Sequence, residues 1–476
     1  MIVLNRSKRL GGVLVVVLVL VMVLWGCIGE SDERADVVVI GAGASGMSAA
    51  LEAESYGKNV ILLEKMPYVG GNTLRATGGM NGAETDIQKD LGIEDSVDTY
   101  MNDTLLSGHN ENNQLLVKLL AEESKSAIDW LTAKGANLSD VGLLAGHTIS
   151  RTHRPSGGKP VGIEIVNVLK TELDHSMVDL RLEHKAVEIL TDSEESISGV
   201  KVVDKSGKHY TIDCDRVVIA TGGFGGSPET FVYYNKKLKG YQTTNSPSAT
   251  GDFSTLVEGL NVALKDMDYI QTHPTVSREY GVLITEAIRG NGGILVNNQG
   301  MRFADELKNR DFLSVDLLNQ KDREVYLIFN EEIRKSLKAS DDYIDMKIIQ
   351  RSESLDALSE MIRVPKEGLV ETVNRYNDFV KNANDVDFGR KSLMISLEEG
   401  PYYVVGVIPG VHYCMGGIFI NEKAMALTEE GQPIKGLYAS GEATNGIHGR
   451  NRLGGNSLLE AIVFGRIAGK SASMDQ

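Results

Sequence analysis

The sequence predicts an α/β protein organised on a Rossmann-like dinucleotide-binding domain. Three observations carry that prediction. Ala35–Ile40 (ADVVVI) is a β-branched run of the kind that forms a buried strand, and Gly41-Ala-Gly43-Ala-Ser-Gly46 follows it at once. Arg216–Ala220 reads as a later strand, capped by Thr221-Gly222-Gly223. Near the C-terminus, Leu437–Ala461 returns to glycine-rich sequence and opens a final helix at Gly454-Gly455-Asn456-Ser457. At 476 residues the chain has room for two or three domains, one of them large.

Taken in order, Met47–Tyr56 reads as a helix ended by Gly57, and Asn59–Leu63 as the next strand with Glu64 at its tip. This βαβ unit puts Gly41, Gly43 and Gly46 where a pyrophosphate can approach the backbone at the positive end of a helix. Glu64, 23 residues after Gly41, can accept from a ribose hydroxyl. Val69–Asn81 (VGGNTLRATGGMN) is glycine-rich again and offers Asn72, Thr73 and Thr77 to a flat ligand. A strand followed by Ala-Thr-Gly-Gly forms the second half of a typical FAD-domain signature, so the expected dinucleotide is FAD.

Asn112–Lys134 carries a leucine-rich helical stripe closed by Gly135 and is expected to be one core helix. His153 and Arg154 lie in the loop Thr148–Gly162, where single basic residues are most simply structural. Val187–Leu190, Gly199–Val203 and His209–Ile212 read as strands. Val325–Phe329 is a further strand, and 331–384 is mainly helical by composition.

The first 27 residues read as a processing segment. Arg6, Lys8 and Arg9 precede an almost continuous apolar run, Leu10–Trp25, and Leu24-Trp25-Gly26-Cys27 resembles a lipobox. The alternative is an uncleaved membrane helix, since Leu10–Gly29 spans 20 residues. Both readings place the folded body outside the cytoplasmic membrane, anchored to it, with Ser31–Arg34 as a polar tether. Removing 1–26 takes away three basic residues and none acidic, so the formal charge moves from −16 to −19. So acidic a body repels nucleic acid. There are three cysteines, no Cys-x-x-Cys-His haem site and no His/Cys cluster with zinc spacing, so no metal is expected. A disulfide between Cys214 and Cys414 stays open.

The chemistry is expected between Tyr269 and Asp311. His273-Pro274, Thr285-Glu286, Arg289 and Arg310 there are polar groups set between apolar runs. A later segment adds His412 in a Gly-Val-His-Tyr-Cys-Met-Gly-Gly run, then Glu442, His448, Arg450 and Arg452.

These motifs resemble the flavoprotein subunit of fumarate reductases and succinate dehydrogenases, most closely the soluble flavocytochrome-type fumarate reductases. The resemblance covers about 35–470 and rests on GGNTLRATGGMN, HRPSGG, THPT, TEAIRGNGGILVN, MRFADE with NRD, GVHYCMGG and HGRNRLGGNSL. It implies an FAD-binding domain, 33–268 and 413–476, interrupted by an α+β capping or clamp domain at 269–412. It implies a cofactor set of Gly41, Gly43, Ala44, Ser45, Gly46, Glu64, Lys65, Asn72, Thr73, Thr77, Gly78, Gly79, Val187, Thr221, Gly222, Asp252, Glu442, Ser457 and Leu458. No His lies between Gly41 and Gly108, so the FAD is expected to be non-covalent.

The same resemblance implies hydride transfer to an α,β-unsaturated carboxylate. His273, Thr285, His412 and Arg452 would hold carboxylates, and Arg310 would deliver the proton, resupplied through Glu286 and Arg289. Fumarate is the first expectation. Another acrylate (urocanate, methacrylate or a cinnamate) is the alternative, and Leu283 stands where the soluble reductases usually carry Met. A non-catalytic flavin electron-transfer protein is the third reading. No haem or FMN domain precedes the flavin domain, so electrons are expected from a separate carrier: a cytochrome, a quinol-linked protein or a flavin carrier.

Overall fold

The computed structural model describes residues 33–194 and 196–474. The processing segment therefore lies outside the described residues. Among the described residues no helix is long and apolar enough to cross a membrane.

The central sheet forms from β1 (Val37–Ile40), which leads through α1 (Ala44–Ser55) to β2 (Val60–Glu64). β1 is apolar at every position and fully buried, as a parallel strand covered on both faces must be. Two further helices, α2 (Val97–Ser107) and α3 (Gln114–Glu122), pack outside it, followed by α4 (Ser124–Ala133). The expected single helix over Asn112–Lys134 is thus two helices, parted at Glu123. Just past the break, Ser124 Oγ is buried and accepts from Ala83 N–H (3.1 Å). Next come β3 (Asp179–Leu182), then β4 (Lys185–Thr191), β5 (Ile197–Val203), β6 (His209–Asp213) and β7 (Val217–Ile219).

A second body begins with β8 (Ile270–Ser277) and β9 (Ile294–Asn297). It continues through α5 (Arg310–Leu318), β10 (Val325–Asn330), a helical run and β11 (Tyr402–Cys414). The chain then returns to the first body with β12 (Pro433–Ala439) and α6 (Asn456–Met474).

The central sheet runs Met425–Leu427, β12, β7, β1, β2, β3, parallel except at the first strand. A smaller sheet holds β4, β5 and β6, and Glu33–Arg34 adds to its edge beside β6. The polar tether expected there therefore ends in strand pairing. The sheet β8–β11–β10–β9 is antiparallel throughout, with Gln350–Ser352 paired to β11.

Apolar side chains bury into two separate clusters. One surrounds the central sheet; the other, around β9, β10, α5 and Leu369–Tyr376, draws on 284–407 plus Leu144. α6 closes the first cluster against α1 through glycines. A Cβ on Gly465 would lie 2.5 Å from Ser45 O, and one on Gly469 2.2 Å from Ala49 O, so only glycine lets these helices touch. Cys214 and Cys414 are both free and buried, and Cys414 is the last residue of β11.

Candidate active site

A cavity of about 410 Å³ lies between the two apolar clusters. Its floor comes from the C-terminal ends of β1, β2 and β7, where parallel sheets place their ligands. Of the expected cofactor residues, Gly41, Gly43, Ala44, Ser45, Glu64, Lys65, Asn72, Thr73, Thr77, Gly78, Gly79, Thr221, Gly222, Asp252, Glu442, Ser457 and Leu458 line it.

Gly46 and Val187 do not line it. A Cβ on Gly46 would sit 1.7 Å from Gly41 O, so this glycine serves helix–strand packing. Val187 falls in a register shift between Ala186 and Glu188, and the wall takes Lys185 and Ala186 instead.

The nucleotide end of the cavity is built for close approach. Gly43 begins α1 without a side-chain cap, and a Cβ there would meet nothing nearer than 3.9 Å. Glu64 accepts from Ala42 N–H and Met66 N–H, each at 2.9 Å, which holds its carboxylate at the strand tip. Lys65 pairs with Asp252 (2.9 Å). Thr221 Oγ1 is buried without a partner. Glu442 accepts from Cys414 N–H (3.0 Å) and Asn72 Nδ2 (3.3 Å), and burial pushes its pKa up to about 7.

At the other end five cationic or imidazole side chains gather around one carboxylate. Arg310 Nε donates to Glu286 Oε2 (2.8 Å), and Arg310 Nη1 to Gln271 Oε1 (3.0 Å). Gln271 is held in turn by donating to Asn451 Oδ1 and Arg452 O, both at 2.7 Å. Glu286 Oε1 accepts from Ala145 N–H (2.7 Å), while Oε2 also faces Arg289 Nη2 at 3.5 Å and His273 Nε2 at 3.7 Å. Burial alone would raise the Glu286 pKa, but Arg310, then His273 and Arg289, holds it well below the usual range.

His273 and His412 face each other with ring centroids 5.2 Å apart. The strands aim them. Pairing between β8 and β11 slips at Gln271/Thr272, leaving His412 as the extra residue on its strand, and such a bulge redirects a side chain. Thr275 N–H donates to His273 Nδ1 (3.3 Å), which leaves the ring proton on Nε2, toward Glu286. His412 Nδ1 contacts Thr244 Oγ1 at 2.7 Å. Burial lowers the His273 pKa to about 3, and burial with the Arg310 charge holds His412 well below its ordinary value. Both rings are neutral hydrogen-bonding groups at pH 7.

Arg452 donates to Leu453 O (3.0 Å) and lies 4.6 Å over the Tyr413 ring. Its Nε has no partner. Thr285 and Arg289 stand behind the wall. Thr285 N–H donates to the Tyr343 hydroxyl (3.3 Å). Arg289 is fully buried, donates through Nη1 to Glu306 O, and leaves Nε and Nη2 without a hydrogen-bond partner. Glu306 is itself gripped by Arg302 (2.8 Å) and Arg390 (3.0 Å).

Sequence reasoning missed Gln271, the Ala145 amide, Thr244 and Tyr343. Gln271 was findable, since it sits two residues before His273 on a strand and so shares its face. The others come from remote segments and left no local signal. His153 and Arg154 are structural, as expected: His153 contacts Thr85 Oγ1 (2.9 Å), and Arg154 pairs with Asp140 (3.2 Å).

The buried imidazoles give a pH dependence of stability. Burial lowers His153 to a pKa of about 4 and His273 to about 3, whereas an unfolded His titrates near ~6.5. The unfolded state therefore takes up protons first as pH falls, and each ring costs about 1.4 kcal/mol of stability per pH unit below ~6.5 until its folded pKa is reached. The melting temperature should drop steadily from pH 7 to pH 5. Glu442, raised to about 7, works in the opposite direction over the same range, so the test is the difference from His153→Gln, whose profile should be shallower than the parent's; an equal slope would show that His153 is not buried neutral.

Residues 36–458 match the protein family described as FAD binding domain. The chain is 44% identical over 441 residues to a fumarate reductase (cytochrome) of Shewanella frigidimarina, covering 93% of this chain and 77% of that one. The chain belongs to the fumarate reductase flavoprotein family. Its cofactor is FAD. A urocanate reductase of Eggerthella lenta is a more distant member, 34% identical over 92% of this chain and 74% of its own. The fold superposes on the open conformation of a flavocytochrome c3 fumarate reductase with TM-score 0.77, at 38% identity over 94% of this chain and 79% of that one.

Proposed function

We propose that the chain is an FAD-dependent ene-reductase that converts fumarate to succinate. The observation that carries this is the donor set at the end of the cavity away from the nucleotide cradle. Arg310, Arg452, His273 and His412 line that end around the single carboxylate of Glu286, so the site offers more positive and donor groups than its own acid consumes. A dicarboxylate supplies the missing charge.

FAD fits the rest of the cavity. The open face of Gly43, the α1 N-terminus and the unpartnered Thr221 hydroxyl suit a pyrophosphate, and Glu64 suits a ribose. Held there without a covalent link, FAD would supply the hydride for an alkene carbon. The protein supplies the rest. His412 and Arg452 hold one carboxylate of the substrate, and His273 the other, with Thr285 behind it. Arg310 gives a proton to the second alkene carbon, which balances fumarate, hydride and proton to succinate. Glu286 at 2.8 Å and Arg289 beyond it form the line through which that proton is replaced. Fixed donors stabilise the charge that gathers on a carboxylate as hydride arrives, without reorganising during the step.

On this reading 269–412 is a cap that closes over the flavin domain, 33–268 and 413–476. Electrons come from a separate carrier. The basic and apolar character of 1–27 supports export and attachment to the outer face of the cytoplasmic membrane. A second substrate class has one observation behind it: Leu144, Val282, Leu283 and Tyr343 give the cavity an apolar wall that would accept a larger acrylate.

The test is turnover of the FAD-loaded protein with reduced methyl viologen on fumarate, urocanate, methacrylate and cinnamate. Fumarate should lead in kcat/KM by orders of magnitude. Another leader would move the substrate assignment to the wall around Leu283. No turnover on any of them, with FAD bound, would overturn the ene-reductase reading.

A further inference from the structure

Arg310 is the first residue of α5, and the start of that helix is poorly held from within. Its N-cap, Asn309, makes no side-chain capping hydrogen bond. Leu313 and Leu317 root the helix in the second apolar cluster. Beside the Arg310 contacts to Glu286 and Gln271 in its own body, its first turn is held from the other body, by the turn that ends α2.

That turn, Ser107–Asn110, reaches α5 by two routes. Directly, His109 Nε2 contacts Asp311 Oδ2 at 2.7 Å, and the His109 ring stacks on Phe312 with centroids 5.5 Å apart and planes 11° from parallel. Indirectly, Asn451 Nδ2 donates to Ser107 O (3.2 Å) and Oγ (3.3 Å), while Asn451 Oδ1 accepts from Gln271, which accepts from Arg310. Residues 310, 311 and 312 are thus each tied, across the seam between the two clusters, to one short turn.

The turn is itself tied to its surroundings. His109 and Asn110 both adopt left-handed backbone, φ 61° and 58°, which His and Asn take more readily than most residues. Asn112 Nδ2 donates to Ile447 O (2.9 Å), and Arg450 N–H donates to Gly108 O (3.2 Å), locking the turn on the loop that carries Arg452.

We propose that His109 is a positioning residue that seats the first turn of α5 and so aims the Arg310 guanidinium at the substrate. Its hydrogen bond to Asp311 fixes the helix along its axis, and the stack on Phe312 fixes its rotation. When the cap opens, both contacts break together. When it closes, they return Arg310 to the same place. The proposal rests on Arg310 being the proton donor.

Two readouts on the FAD-loaded full chain test it. The first needs no substrate: hydrogen–deuterium exchange of the α5 amides. In His109→Ala, exchange of the hydrogen-bonded α5 amides, 313–318, should speed up by about tenfold or more, while exchange in β9 stays as in the parent. The second is kinetic, on whichever alkene the parent reduces fastest. For His109→Ala, kcat should fall by about tenfold to a hundredfold, the cost of an ångström-scale misplacement, with KM and FAD content unchanged. His109→Gln, which keeps a donor toward Asp311 but loses the stack on Phe312, should recover part of kcat. Unchanged exchange over 313–318 would overturn the proposal, as would a kcat equal to the parent or a loss confined to KM. A parent that reduces no alkene would sink the ene-reductase reading instead, and the exchange measurement would still decide whether His109 seats α5.

Discussion

Arg310→Ala will keep its FAD and lose turnover by about 10²- to 10⁴-fold, the range for removing a positioned general acid. The side chain occupies a place no other residue can fill. Two of its nitrogens are held, Nε by Glu286 and Nη1 by Gln271. The third, Nη2, lies 3.3 Å from where a Cβ on Gly454 would be, so the absence of a side chain there leaves it room. None of the residues expected at the nucleotide end depends on Arg310, so the flavin absorbance should be unchanged. Removing the guanidinium also takes away the strongest charge holding the Glu286 carboxyl down. Arg310→Lys separates the two effects. A lysine restores positive charge beside Glu286 but cannot reach Glu286, Gln271 and the cavity at once, so it should rescue stability and little turnover. An alanine variant that kept a tenth of parent turnover would show that the proton comes from elsewhere.

Much of this site was legible in the sequence because its residues sit in short, chemically loaded runs. The βαβ unit declared itself through Gly41–Gly46 and Glu64, since only glycine permits the 1.7 Å approach that a Cβ on Gly46 would force on Gly41 O. Val187, expected from the resemblance, falls at a register shift where Lys185 and Ala186 line the cavity, and such bulges have no reliable local signal. The same irregularity works the other way at His412, which faces His273 only because β11 carries an extra residue there. What could not be read were contacts made by backbone groups. The Ala145 amide that holds Glu286 belongs to a loop 141 residues away in the chain, and any residue with an N–H could provide it. The break at Glu123 escaped because the apolar stripe runs on across it, with Leu120 and Ala121 buried before it and Ala127, Ile128 and Leu131 after it.

Arg452→Met will cost the enzyme its substrate and cost the fold nothing. Arg452 is 2% exposed, yet its recorded contacts are one carbonyl and the face of Tyr413, and its Nε has no partner. Burial, reinforced by the nearby Arg310 charge, pulls its pKa down to about 9. A cation buried with so little compensation destabilises the resting protein, and an apolar side chain of similar length removes that penalty. The melting temperature of Arg452→Met should therefore equal or exceed that of the parent. The charge has its use when a carboxylate arrives. Loss of a buried charged contact of this kind is worth about 3–4 kcal/mol, so kcat/KM on fumarate should fall by about 10²- to 10³-fold. Succinate should raise the melting temperature of the parent and leave that of the variant unmoved, since only a state that binds ligand is stabilised by it. A variant that melts several degrees lower would mean that Arg452 supports the Tyr413 face as structure. One that still responds to succinate would mean that the carboxylate is held without it.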